Sequence, residues 1–368
     1  MRQYVKNKLA NQIIMHNKKP LVSIVTPYYR NGEKWIKGYF ESLRKQTFKD
    51  FEIIFVDNGS SDGVIDNVRS NYPEANIVTV KKNKGIVVGK NLGVSHAKGD
   101  YIVLLDNDVW IDKNYLKNLL EAYVKIPRAS IFQTKILLIN EPKKIDSCGS
   151  FWTDTGFIYH YGNGKPASMR KYNKPFPLFC VKSASMIFTR EVLDKIGLYY
   201  DFYWGFYEES DFCHRAWIAG FETWYWPGAV AHHSFGGTSL TYKSDFLQYH
   251  NFKNKLFSFM TNFEIKNLLH LVPKFIVFNL VISMAWIVQG KFKHSYSLTK
   301  AFIWNIKNFS LTLKVRREVQ ATRKLSDKQI NKYGKVNPGN LYYYHLFTTH
   351  IENYKDKNLP RAPKYTGN

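Results

Sequence analysis

The chain has 368 residues, of which 45% are hydrophobic, 16% aromatic and 22% charged, a balance that excludes a disordered tail protein and favours a packed globule. At this length the chain exceeds what one core usually fills, so a main domain of about 200 to 250 residues plus an appendage is expected. The formal net charge is +24, and the residues after Leu240 hold 21 Lys and Arg against 6 Asp and Glu, a local +15 that calls for an anionic partner: acidic lipid, a pyrophosphate-bearing substrate or nucleic acid.

Residues 1–20 carry five basic and no acidic side chains without a continuous apolar run, and read as a basic helix outside the fold. From Leu21 the pattern changes. Short apolar runs at Val22 to Thr26, Ile53 to Val56, Ile77 to Val80 and Tyr101 to Leu105 read as buried strands. Trp35, Ile36, Phe40 and Leu43 recur at helical spacing between the first two, and Val87 to Ala97 is a helix candidate between the last two. Such alternation predicts βαβ units and a mainly parallel sheet flanked by helices, whose ligands bind at the carboxyl ends of the strands. Thr26-Pro27-Tyr28, Asp57-Asn58-Gly59 and Asp106-Asn107-Asp108 all fall on that rim.

Residues 130 to 240 mix short strands with a second polar cluster, Glu208, Glu209, Asp211, His232 and His233, and are assigned to the same domain. Cys148, Cys180 and Cys213 form no CxxC, so neither a disulfide framework nor a zinc site is suggested, and a reducing compartment fits. Between Leu268 and Val288 the longest clean apolar stretch, Phe275 to Val288, has 14 residues, fewer than the roughly 20 needed to span a bilayer. With lysines on both sides it reads either as a helix in the membrane interface or as a buried helix of a C-terminal bundle. The expected division is a basic N-terminal helix (1–20), a catalytic domain (21–240) and a basic, aromatic helical region (241–368).

Two carboxylates separated by one residue on a turn, Asp106 and Asp108, suit a hard divalent cation that shares its coordination with substrate phosphates, although Asp and Asn also favour ordinary turns. Asp57 can accept the imide N–H of a pyrimidine, or it can cap the helix that begins near Val64. Gly85 to Asn91 is not a phosphate-cradling P-loop, because only three residues separate Gly85 from Gly89 and Asn91 follows the lysine. No GxGxxG follows the first strand.

The blocks VSIVTPYYRNGEKWIKGYFESLRKQTFKDFEIIFVDNGSSDG, NKGIVVGKNLGVSHAKGDYIVLLDND and YEESDFCHRAWIAGFETWYWPGAVAHHSFGGTS stand in this order between Leu21 and Leu240. Together they resemble glycosyltransferase family 2, in particular the branch with rhamnosyl- and galactofuranosyl-transferases of surface polysaccharides. The resemblance implies the A-type glycosyltransferase fold, with Thr26, Pro27 and Tyr28 lining a base pocket, Asp57 reading a uracil or thymine edge, and Lys84 and Asn91 beside the nucleotide. It implies that Asp106 and Asp108 form the pair that holds Mn²⁺ or Mg²⁺ against the diphosphate, that His233 rather than His232 assists the metal, and that Glu209 or Glu208 is the catalytic base.

An inverting transfer is therefore expected, from a UDP- or dTDP-linked sugar to a hydroxyl of a glycan or lipid-linked acceptor. The enzyme would be cytoplasmic and peripheral at the inner face of the cell membrane. Trp152, Trp204 and Phe206 are candidate acceptor-stacking rings or core, and Gly236 and Gly237 a candidate hinge. A nucleotidyltransferase would also use paired aspartates, but it has no evident use for Glu208-Glu209. A nucleic-acid-binding protein would use the charge, but no recognisable module is present, and no nucleic-acid partner is expected.

Overall fold

The computed structural model describes residues 19–234, 242–347 and 351–359. The expected N-terminal basic helix, apart from Lys19 and Pro20, and the Gly236-Gly237 hinge lie outside these residues. The strands are β1 (Val22–Tyr28), β2 (Phe51–Asp57), β3 (Ala75–Thr79), β4 (Tyr101–Leu105), β5 (Val109–Ile111) and β6 (Ala129–Leu138), followed by β7 (Ile145–Ser147), β8 (Ser150–Trp152), β9 (Ile158–His160), β10 (Phe176–Pro177), β11 (Ser185–Thr189) and β12 (Glu222–His233). The main sheet runs β10-β12-β6-β11-β4-β1-β2-β3, with β5 on β12 and β7 on β6, while β8 and β9 form a separate hairpin.

The first four strands lie close to the apolar runs of the sequence and pair in parallel as β3-β2-β1-β4. Beyond β4 the mainly parallel sheet takes in antiparallel pairs. β11 is antiparallel to both β4 and β6, whereas β12 is parallel to β6. Two reversals restore the direction, so the carboxyl end of β12, His233, emerges on the same rim as Tyr28, Asp57 and Leu105. The segment entering β11 reaches that rim too, where the Asp106 N–H donates to the Ala184 carbonyl at 3.0 Å. The helix Ile86–His96 lies close against the sheet through Gly93, where a Cβ would come within 2.3 Å of Val25.

The C-terminal helices are not a detachable appendage. The helix Ser244–Asn262 buries Leu256, Phe257 and Phe259 in the same core cluster as Phe212 and Trp217 of the helix Glu208–Ile218. Its Asn254 side-chain N–H₂ donates to the carbonyls of Tyr203, Gly205 and Phe206 at 3.1, 2.9 and 2.7 Å. Those bonds hold a segment in which three non-glycine residues, Trp204, Phe206 and Tyr207, have positive φ between 66° and 69°, a region side chains with a Cβ avoid.

The apolar segment differs in length from its expectation. It is one unbroken 24-residue helix, Ile265–Val288, long and apolar enough to cross a membrane by length and composition. Pro273 lies inside it without ending it, and only 17% of its most apolar window is buried. Its inward face is Leu271, Phe275 and Asn279, four residues apart on one side, while Val277, Leu280, Val281, Met284 and Val288 are exposed.

Asn254→Ala should strip the 203–207 segment of its shared donor and destabilise the fold by about 2 kcal/mol. The urea midpoint reads this directly, and an unchanged midpoint would show that the strained segment is held by other contacts.

Candidate active site

The strand-end rim surrounds a cavity of about 340 Å³, within the size range of small-molecule sites. The strand-end residues Pro27, Tyr28, Asn58, Asp106, Asp108 and His233, with Lys182, form its floor, and the segment Trp204 to Glu209, with Asn83 beside it, forms a wall. The strained segment brings that wall in. Gly85, at φ +101°, passes so close to the Trp204 carbonyl that a Cβ would lie 2.1 Å from its oxygen.

His233 and His232 are neighbours on β12 and therefore face opposite ways. His233 enters the cavity, with Nε2 3.6 Å from Asp108 Oδ1 and Nδ1 2.8 Å from Asp146 Oδ2. His232 turns outward to Asp112 at 3.1 Å. An acidic partner at Nδ1 favours the Nδ1–H tautomer, which leaves the Nε2 lone pair facing Asp108. Asp146 also receives the Lys182 ammonium at 2.6 Å. Burial alone would push the Asp146 carboxyl up, but the Lys182 and His233 charges and hydrogen bonds hold it well below the usual carboxylate range. For Asp108 burial prevails, raising its pKa to about 6 against the opposing pull of His233. The floor thus presents a carboxylate that favours an added cation.

Asp106 is engaged differently. Its Oδ1 lies 3.1 Å from Nζ of Lys90, a lysine with no exposed side chain on the helix Ile86–His96, which also donates to Ser183 Oγ at 3.0 Å. Among the described residues no group of three or more His, Cys, Asp and Glu side chains is placed to hold a metal. Asp106 is committed to Lys90, so Asp108 and His233 are the donors that face each other.

Glu208 and Glu209 open the helix Glu208–Ile218, where its first-turn amides favour negative charge. Both line the cavity, Glu208 more deeply buried, with its Oε2 lacking a hydrogen-bond partner. Burial and the adjacent Glu209 charge push the Glu208 pKa up to about 8, and burial raises Glu209 as well. Two neighbouring carboxyls in a recess disfavour being ionised together. Glu208 is the more buried of the two and holds the oxygen without a hydrogen-bond partner.

The remaining sequence candidates divide. Pro27 and Tyr28 line the cavity, the Tyr28 hydroxyl donating to Asp62 at 2.6 Å. Thr26 does not: its hydroxyl is buried against that of Tyr39. Asp57 caps the following turn, accepting the Ser60 N–H at 2.8 Å, and its neighbour Asn58 is the residue that lines the cavity. Lys84 is exposed and does not line the cavity. Asn91 is spent on structure, donating to the Tyr199 carbonyl at 2.8 Å and to Asp201 at 2.6 Å. Trp204 and Phe206 line the wall, whereas Trp152 is core, its indole N–H on Asn331 and its ring against Phe263. Lys90, Asp146 and Lys182 escaped the sequence reading. Of these only Lys90, a charge among the apolar residues of IVVGKNLGV, carried a local signal.

Residues 23–197 match the family model described as Glycosyl transferase family 2. Glycosyltransferase GlyG of Streptococcus pneumoniae is 37% identical over 102 residues, 27% of this chain and 34% of that protein. The putative teichuronic acid biosynthesis glycosyltransferase TuaG of Bacillus subtilis is 31% identical over 136 residues, 36% of this chain and 53% of that protein. The match thus spans about a third to a half of these relatives. The crystal structure of GalNAc-T7 with UDP, GalNAc and Mn²⁺ superposes with a TM-score of 0.56 at 14% identity, covering 81% of this chain and 58% of that one. That of S. aureus TarS 1-349 in complex with UDP-GlcNAc gives 0.54 at 17% identity, covering 82% and 88%. At these identities the superpositions establish the fold.

Proposed function

We propose, on the premise that residues 23–197 are a glycosyl transferase family 2 domain, that this chain transfers a sugar from a nucleotide diphosphate donor to a hydroxyl of a glycan or lipid-linked acceptor, with inversion, in polysaccharide assembly. The observation that carries the reading is that Asp108, His233 and Glu209 line a single cavity together with Pro27, Tyr28 and Asn58. UDP and UDP-GlcNAc in the two superposed structures support a UDP- or dTDP-linked donor.

Asp108 and His233 suit a divalent cation. The Asp146 contact turns the Nε2 lone pair of His233 toward Asp108, and an anion buried this deeply favours a positive neighbour. When bound, Mn²⁺ or Mg²⁺ neutralises charge on the departing diphosphate. Lys90 holds Asp106 at the end of β4, keeping the turn that presents Asp108. Glu209, ionised beside protonated Glu208, takes the proton from the acceptor hydroxyl as it attacks the anomeric carbon from the face opposite the leaving group. One carboxylate base, with no acid for the leaving group, is consistent with single displacement.

Glu209→Gln should keep nucleotide binding and lose turnover by at least a hundredfold, whereas Glu208→Gln, which mimics the protonated side chain, should stay within about tenfold of the parent. Asp108→Ala should abolish metal-dependent transfer. Nucleoside diphosphate release from a panel of nucleotide sugars with Mn²⁺ measures all three, and normal turnover by Glu209→Gln would transfer the base role to Glu208.

The pH dependence has a definite sign. Because the folded pKa of Glu209 is raised, the active ionised form is lost as pH falls through a value above the ordinary Glu range of about 4.3. The acid limb of the kcat profile should therefore lie above pH 4.3 and vanish with the residual activity of Glu209→Gln. An acid limb at or below that value would contradict the assignment.

We also propose that the chain sits peripherally on the cytoplasmic face of the membrane. The exposed side of the helix Ile265–Val288, bordered by Lys266, Lys274, Lys291 and Lys293, supports an in-plane position, because Leu271, Phe275 and Asn279 anchor the opposite side to the protein. Leu280→Glu with Val281→Glu should weaken co-sedimentation with phosphatidylglycerol vesicles several-fold without changing nucleotide release. Undiminished binding to the vesicles would place the contact elsewhere.

A further inference from the structure

A second cavity lies away from the catalytic rim, and the proposed transfer gives it no task. It has about 600 Å³, within the size range of small-molecule sites, and its lining includes Tyr161, Arg170, Lys171, Lys174, Phe176 and Asn358. Phe176, on the edge strand β10, fixes its place in the sheet. It pairs with Tyr225 of β12, which pairs with Gln133 of β6, while His233 pairs with Leu138. The five residues from Gln133 to Leu138 put Phe176 about 17 Å along the strands from the catalytic rim.

A buried carboxylate anchors the C-terminal segment that contributes to this cavity. Asp356 accepts the hydroxyls of Tyr159 and Tyr172, both at 2.7 Å, and the Gly162 N–H at 2.8 Å, while its backbone carbonyl receives the Lys171 ammonium at 3.2 Å. Asn358 and Leu359, which line the cavity, follow directly on this anchor. With that carboxylate turned to the tyrosines, the lining holds three cations, Arg170, Lys171 and Lys174, and no acidic side chain among the described residues. The side chains of Arg170 and Lys174 are exposed and make no hydrogen bond, ion pair or ring contact with a described residue. In sequence, the nine residues after Leu359 add Arg361 and Lys364 and again no acid. Like charges gathered at a concave surface repel one another and focus a positive potential there, which an anion relieves.

We propose that this cavity is a binding site for an acidic oligosaccharide, separate from the catalytic cavity, with the anionic groups of the sugar on Arg170 and Lys174. The planar fork of Arg170 suits a carboxylate or a phosphate, and Lys174 adds a point charge. The Asn358 amide can serve sugar hydroxyls, and Pro175 with Phe176 gives the apolar faces of sugar rings a surface to rest on. Tyr161 and Phe176 are only 2% and 6% exposed, so they supply an apolar floor but no free ring face on which nucleobases could stack. That favours a saccharide over a single-stranded nucleic acid. The choice of a saccharide rests on the glycosyl-transfer reading, in which such a chain is acceptor or product, whereas the anion site itself does not.

Tetragalacturonate is titrated into the full chain at an ionic strength of about 0.15 M, where distant surface charges are largely screened. Its affinity should fall at least tenfold when Arg170→Ala is combined with Lys174→Ala, through the loss of two charge-assisted contacts. It should stay unchanged when Lys314→Ala is combined with Arg317→Ala, which removes the same charge from exposed positions of the helix Phe309–Ala321. Neutral maltotetraose and inorganic phosphate should both bind the parent more weakly than tetragalacturonate does. Equal tetragalacturonate affinity in the two double variants overturns the proposal, as does maltotetraose or inorganic phosphate binding as tightly as the acidic sugar. An oligothymidylate that binds the parent more tightly than tetragalacturonate, and loses more affinity in the 170/174 variant, would give the cavity to nucleic acid instead. Failure of UDP with Mn²⁺ to bind the parent would count against glycosyl transfer and leave the tetragalacturonate comparison standing.

Discussion

The cavity depends on a stretch of backbone that would not keep its shape alone. Trp204, Phe206 and Tyr207 all occupy positive φ, and each such residue costs on the order of 1 kcal/mol or more relative to an ordinary conformation. The cost is met from outside, by the Asn254 amide on three carbonyls and by Gly85, whose missing Cβ lets the Trp204 carbonyl approach. In return the chain turns sharply into the helix Glu208–Ile218 and delivers two carboxyls to the rim. A helical region that composition marks as a separate appendage is thereby part of the site.

Charge compensation is the second organising constraint. The rim gathers Asp106, Asp108, Glu208 and Glu209 with Lys90, Lys182 and His233 around one cavity, and Asp146 lies behind Lys182 and His233. Asp106 and Asp146 are balanced inside the protein by lysines and histidine. Asp108 and the glutamate pair are left with raised pKa values, which is the electrostatic state expected of groups that meet a cation and a proton during turnover.

Much of this was legible locally. Four strands and the helix after Gly85 announce themselves as short β-branched runs and helical spacing, and Asp106-Asn107-Asp108 falls at a strand end because the strand before it is so plainly apolar. The family resemblance placed Glu208, Glu209 and His233 in one list, but not at distances. It also placed Asn91 and Thr26 beside the nucleotide, where the fold commits Asn91 to Tyr199 and Asp201 and Thr26 to Tyr39. Such reassignments are invisible in a linear reading, since an amide in an active-site motif and an amide tying two loops together have the same neighbours in sequence.

By itself, then, the sequence determined the elements whose cause is local: the period of hydrophobic residues and the turn residues after each strand. It also determined the presence of a basic, apolar C-terminal third. Tertiary structure alone decided which of two adjacent histidines enters the cavity, because strand alternation has meaning only once β12 is paired. It alone decided that Asp146, 87 residues from His233, is the partner that orients the ring, and that the apolar helix runs 24 residues with one side bound to the protein. The physical reason is common to all three: hydrogen bonds and ion pairs act over a few ångströms, and nothing in residue order says which distant groups folding will bring within that reach.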